Sequence, residues 1–268
     1  MTSFTAYFFA YETDIPDGVG FSLFGPAHLF WLFGLLAGIA AFVCFYRRRT
    51  PKVQRRASYI VGAAVLFLQV IQAAFFMIRG VYGVYTLPLH LCSMAAYFIF
   101  LHLFFHPKWY SEILFYPLLP GAFMALLFPD WTKYPALSFM SCAGFLVHGF
   151  MILYICMKIA DGSVSPAWKR IYAPVIFIFA YALPIIAFDH AENANYGFLN
   201  VPSPGSPLVF IASVFGYGIG YYVGYALLVF GVMLLNYSLF AAARILLRKL
   251  SSSIRSGTRH CGDSPHRN

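Results

Sequence analysis

Charge is what this chain has least of. Only 10% of its 268 residues are Asp, Glu, Lys or Arg, and 9 of those are acidic. Soluble domains carry roughly a quarter charged residues, so a water-soluble globule is excluded. Cysteine is also scarce: 5 are too few for a disulfide-stapled secreted module. Disorder is excluded by the 61% of apolar side chains. No Gly-x-Ser-x-Gly elbow, Walker loop, Rossmann fingerprint or His-Glu-x-x-His pattern is present. Residues 208–243 contain no Lys, which disfavours a retinal Schiff base. No repeat period points to a solenoid. Residues 1–23 lack a basic n-region and hold Glu12, Asp14 and Asp17, so no cleavable signal peptide is expected.

What the chain does have is long uncharged runs. Residues 24–46, 57–78, 81–105, 113–128, 136–157, 171–188 and 208–243 contain no Asp, Glu, Lys or Arg. A hydrocarbon core about 30 Å thick takes about 20 helical residues to cross. These runs predict an all-α, polytopic bundle of seven transmembrane helices. Residues 113–128 form the weakest of them, short and carrying Pro117 and Pro120, which are expected to bend or break it.

Lys and Arg resist translocation, so their distribution sets orientation. Of 18, all but Arg79 and Lys133 fall in the first, third and fifth connections or in the C-terminal tail. The N-terminus is therefore expected outside and the C-terminus in the cytoplasm, in a multi-pass protein of the plasma or inner membrane. Residues 1–23 form an extracytoplasmic tail, 24–243 the membrane domain, and 244–268 a basic tail expected to be disordered. The net charge of +9 is read as this topology signal beside anionic lipid, with no nucleic-acid partner. Gly216, Gly220 and Gly224 recur every four residues with Gly218 between, a ladder that admits a close helix neighbour and, by that route, a homo-oligomer.

Polar side chains in lipid are costly and mark the bundle interior. The candidates are His28, Gln69, Gln72, His90, Cys92, His102, Cys142, His148 and the loop 189–207 with Asp189, His190, Asn195 and Tyr196. Threading puts His90, Cys92 and that loop toward the outer leaflet, so a polar cavity is expected there. A thiolate needs a nearby base or positive charge. On one helix His90 and Cys92 would point about 200° apart, which makes His148 on another helix the better base. A Cys92–Cys142 disulfide, leaving no nucleophile, is the alternative. Neither a metal site nor a cofactor is expected.

Three patches then resemble a known family. They are Phe24-Gly-Pro-Ala-His28-Leu, Leu87-Pro-Leu-His-Leu-Cys92, and Asn195-Tyr-Gly-Phe-Leu199 followed by Ser203-Pro-Gly-Ser206-Pro-Leu208. In this order they resemble the YwaF-like family of bacterial integral membrane proteins. That family is similar to a eukaryotic transmembrane protein regarded as a cysteine-dependent acyltransferase that makes polyunsaturated ether phospholipids. The resemblance implies Cys92 as nucleophile, His148 as its base and membrane lipids as partners. It also suggests His28, His90, Asn195 and Tyr196 as substrate-binding residues. After Leu208 the chain departs from the bacterial pattern, with Val209-Phe210 and the glycine ladder in place of Leu-Asp and a Trp/Pro-rich start. The reading kept beside an acyltransferase is a non-enzymatic transporter or lipid-binding protein, with Gln69, Gln72, His90 and His148 along its pathway.

Overall fold

The computed structural model describes residues 7–260, and the side chains of residues 247, 248 and 250–260 lie outside that description. Among the described residues the architecture is all-α. Eight helices follow in order: α1 Pro26–Tyr46, α2 Pro51–Ile78, α3 Leu91–His102, α4 Lys108–Leu127, α5 Phe139–Ala160, α6 Tyr172–Glu192, α7 Pro207–Phe215 and α8 Ile219–His260. Six of them (all but α3 and α7) contain stretches long and apolar enough to cross a membrane.

Local chemistry sets the ends. Pro26, Pro51 and Pro207 occupy the first helical turn, where a missing N–H costs nothing. Ser138 and Ser206 cap α5 and α7 by accepting from the N–H of Ser141 and Leu208. Asn193 ends α6 in the left-handed conformation, with φ 53°.

α5 is the axis of the bundle. Its Phe145, Ile152, Tyr154 and Ile155 are fully buried, with α1, α2 and α4 packed around it. The outer helices turn apolar side chains outward, among them Phe30, Ile60 and Ile176 at 74%, 69% and 63% exposure. Such a surface is an aggregation hazard in water and a normal one in a bilayer.

Interhelical bonds sort the connections onto two faces. On the first, Asp14 pairs with Arg79, Phe21 N–H donates to Thr132 O at 2.9 Å, and Tyr196 Oη–H donates to Val84 O at 2.5 Å. On the second, Tyr46 Oη–H donates to Asp161 at 2.5 Å and Arg170 pairs with Glu112 at 2.5 Å. We call these the N-terminal face and the basic face. They group the same connections as the Lys and Arg distribution.

Three expected spans are built differently. Residues 81–105 are helical only over Leu91–His102, because Gly83 and Pro88 keep the preceding stretch irregular. Residues 113–128 are not broken by their prolines. They belong to a helix beginning at Lys108 that widens into a π-turn over Leu114–Leu118 around Pro117. Asn236 of α8 donates its side-chain N–H to Phe115 O in that turn at 2.8 Å.

Residues 208–243 are not one helix. Gly216 and Gly218, with φ 73° and 68°, break them into α7 and α8. The two fold into a hairpin at the rest of the ladder. A Cβ on Gly220 would meet Phe215 O at 2.0 Å, and one on Gly224 would meet Ile211 Cγ2 at 2.6 Å. The close neighbour of these glycines is therefore α7 of the same chain. α8 remains helical to His260, through most of the stretch expected to be a disordered tail; residues 261–268 lie outside the described residues.

Candidate functional site

Cys92 is the second residue of α3, and His90 is its N-cap, with φ −60° and ψ 147°. The first N–H groups of a helix have no intrahelical partner and favour negative charge. The expected divergence of His90 and Cys92 is corrected. It required both residues to be helical, whereas His90 is extended, and both line the same cavity. Cys92 and Cys142 are free thiols, as are Cys44 and Cys156, so the disulfide alternative is overturned.

His148 lies on the N-terminal half of α5, buried at 4% exposure. Its Nδ1–H donates to Gly144 O at 2.7 Å, which leaves the lone pair on Nε2. Nε2 is buried and has no hydrogen-bond partner, Cys92 included. The indole of Trp131 stacks on the imidazole with centroids 5.3 Å apart and fits against Gly144, where a Cβ would meet Trp131 Cε2 at 2.8 Å. Trp131 Nε1 and Ser141 Oγ are likewise buried without partners. Asp130 precedes Trp131 in the same connection.

The remaining expected residues are spent on the fold. His28 is fully buried. Its Nδ1 accepts from Phe24 N–H at 2.9 Å and its Nε2–H donates to Leu126 O at 2.8 Å. With both nitrogens engaged it ties α1 to α4 and offers nothing to a substrate. Asn195 donates to Val201 O and accepts from the N–H of Asn200 and Val201, so it shapes its own loop. Tyr196 is buried and bonds Val84 O through its hydroxyl, while its N–H donates to Asp189 Oδ1 at 3.0 Å. His90 stays at the site: its Nδ1 accepts from Gly197 N–H at 3.3 Å, placing the proton on Nε2.

A cavity of about 900 Å³ lies among α3, α4, α6 and α8. His90, Cys92, Ser203, Ser206 and Tyr222 are at its end near the N-terminal face, and Leu, Val, Ala, Phe and Met line most of the rest. The polar cavity expected from the sequence is thus mostly apolar, because the helix faces that form it carry hydrocarbon side chains. Gln69, Gln72 and His148 are not among its lining residues. α6 and α8 meet where His190 Nε2 and the Tyr222 hydroxyl are bonded at 2.9 Å and otherwise pack little against each other, and the exposed side chains of Phe179, Leu183, Leu227 and Phe230 border the gap between them.

Sequence reasoning missed Asp130, Trp131, Ser141 and Tyr181. The Tyr181 hydroxyl holds Leu89 O at 2.9 Å, just ahead of α3. The available signal was the acidic–aromatic pair Asp130-Trp131 directly after the fourth run, in a connection judged only for its Lys and Arg. In that connection burial, then the charge of Glu12, push the Tyr134 phenol above its ordinary range.

Six apolar helices long enough to span, with hydrocarbon side chains facing outward, define a multi-pass membrane protein. The chain belongs to the TMEM164 family, whose family model matches residues 23–237. No curated protein and no solved structure gives a significant match. The resemblance drawn on the sequence therefore stands at the level of this family, without the narrower YwaF-like name.

Proposed function

We propose that the protein is a membrane lipid acyltransferase with Cys92 as nucleophile, facing the extracytoplasmic leaflet of a plasma or inner membrane. The observation that carries this reading is the placement of Cys92: a thiol in the first turn of α3, opening on a large and mostly apolar cavity. His148 Nε2, with its lone pair free, takes the proton from Sγ. The sulfur attacks the carbonyl carbon of a phospholipid ester, and an acyl-thioester forms. The lysolipid alkoxide leaves with the proton held by His148. An acceptor hydroxyl then attacks the thioester, giving a new ester and returning the proton to sulfur. The N–H groups at the start of α3 and His90 Nε2–H are the donors for the oxyanion. Productive contact requires Trp131 or the Cys92 rotamer to shift, since thiol and imidazole are not bonded here.

The test is a hydroxylamine-sensitive label. Protein in vesicles of alkyne-tagged phospholipid acquires the tag, Cys92→Ala abolishes it, and Cys142→Ala and Cys156→Ala retain it. Labelling that survives Cys92→Ala sinks the proposal. Bound lipid without any thioester favours the lipid-binding reading, which the apolar cavity also suits.

A further inference from the structure

The cavity has a floor. Its lining runs on α4 from Phe128 to Tyr116, on α6 from Ile186 to Val175, and on α8 from Ile219 to Met233. At 1.5 Å per residue these three walls give depths of about 17–21 Å. They end together on Tyr116, Val175 and Met233, which Met151 of α5 joins. Tyr116, Met151 and Met233 are at most 2% exposed. Tyr116 is held by Tyr237, stacked with centroids 5.9 Å apart, and the π-turn that aims it is bonded through Asn236.

The opposite end is the level of the thiol. Tyr225 Oη–H donates to Gly197 O at 3.0 Å, Gly197 N–H donates to His90 Nδ1, and Tyr181 and Tyr225 line the cavity together with Cys92. From Tyr225 to the floor residue Met233 along α8 is about 12 Å, and from Tyr181 to Val175 along α6 about 9 Å. One leaflet's hydrocarbon is about 15 Å deep, half of the bilayer core. The cavity, about 17–21 Å from end to end, is thus long enough for one lipid chain, while the stretch from the thiol level to the floor is shorter than a leaflet's hydrocarbon and, the Tyr116 hydroxyl apart, is lined by apolar side chains.

We infer that Tyr116, Met151, Val175 and Met233 form a stop for a single acyl chain of a membrane lipid, so that the distance from Cys92 to this floor selects chain length. The inference rests on the proposed reading for the position of the ester beside Cys92. The floor itself is testable without any chemistry.

Cys92→Ala protein, which cannot form the thioester, is equilibrated with vesicles containing an equimolar series of saturated phosphatidylcholines from short to long chains. The lipid retained after purification is read by mass spectrometry. Val229→Phe on that background raises the floor by one helical turn, about 5 Å. The expected result is a shift to shorter chains, with the ratio of long to short falling about tenfold or more. Met233→Ala and Tyr116→Ala deepen the floor and shift retention to longer chains. If Tyr116→Ala does not fold, the other two decide. An unchanged profile in Val229→Phe and Met233→Ala overturns the stop. A shifted profile with no Cys92-dependent labelling of the wild type keeps the stop and removes the acyltransferase.

Discussion

At the basic face Asp161 accepts from Tyr46 at 2.5 Å, accepts from Ser163 N–H at 2.9 Å and pairs with Lys158 at 3.0 Å. In the opposite half His148 Nε2, Trp131 Nε1, Ser141 Oγ and Asp189 Oδ2 are buried with no partner at all. The separation is not absolute, since His102 Nε2 toward the basic face and Tyr116 Oη at the cavity floor are also unpartnered. Still, most of the unpaired groups lie in that opposite half. A buried polar atom without a partner costs about 1–3 kcal/mol and calls for an explanation. One half of the bundle uses its buried polarity to hold helices together. The other also uses buried His28 to join α1 to α4, yet leaves more of its buried polar atoms without partners.

The largest effect that sharpens this contrast is expected at Glu112, which is fully buried against Arg170 and also accepts from Ala167 N–H at 3.2 Å. Glu112→Ala leaves a guanidinium half-sequestered without its carboxylate and is expected to cost about 3–5 kcal/mol, read as a fall in thermal stability in detergent. A loss under about 1 kcal/mol would mean that the basic face is not the anchor of the fold. Tyr46→Phe comes next. It removes the hydroxyl shared by Asp161 and Ser58, at an expected cost of about 1–2 kcal/mol.

Acid should act on the same cluster. Burial pushes the Asp161 carboxyl up, but bonds from Ser163 and Tyr46 and the charge of Lys158 outweigh it and hold the group below the usual carboxylate range. A carboxyl lowered on folding contributes stability above its unfolded value and loses it as pH falls through the folded one. Melting temperature should thus fall on acidification below about pH 4, and fall less steeply in Tyr46→Phe. A steeper fall in that variant contradicts the assignment.

The smallest effects are expected in the other half. Ser141→Ala removes a polar atom that bonds nothing and should be neutral within about 0.5 kcal/mol or stabilising, while Trp131→Phe, which also gives up part of the stack on His148, should cost no more than about 1.5 kcal/mol. A loss of more than about 2 kcal/mol in either would show these groups to be held as firmly as Asp161, and the contrast would disappear.

Legibility from sequence followed the same division. Apolar runs and Lys/Arg placement named the membrane class and grouped the connections by face, because hydropathy and charge are properties of single residues summed along the chain. Cys92 and His90 were also found, since polar residues in lipid are few. Three things were not legible. The π-turn at Pro117 depends on Asn236, far away in sequence, meeting Phe115 O. The break at Gly216 and Gly218 looked like a ladder within one helix until α7 folded onto Gly220 and Gly224. His28 looked like a ligand-binding residue, yet Leu126 on another helix takes its second nitrogen.

The sequence alone determined that this chain dissolves in lipid, which connections share a side, and which thiol belongs to the third apolar run. Only the tertiary structure decided that His90 and Cys92 open on one cavity, that the cavity is mostly apolar and ends on Tyr116 and Met233, and that His148 is stacked against Trp131. The reason is that partition between water and lipid adds up residue by residue. The shape of a cavity and the partner of a buried polar atom instead depend on which helices come to lie side by side.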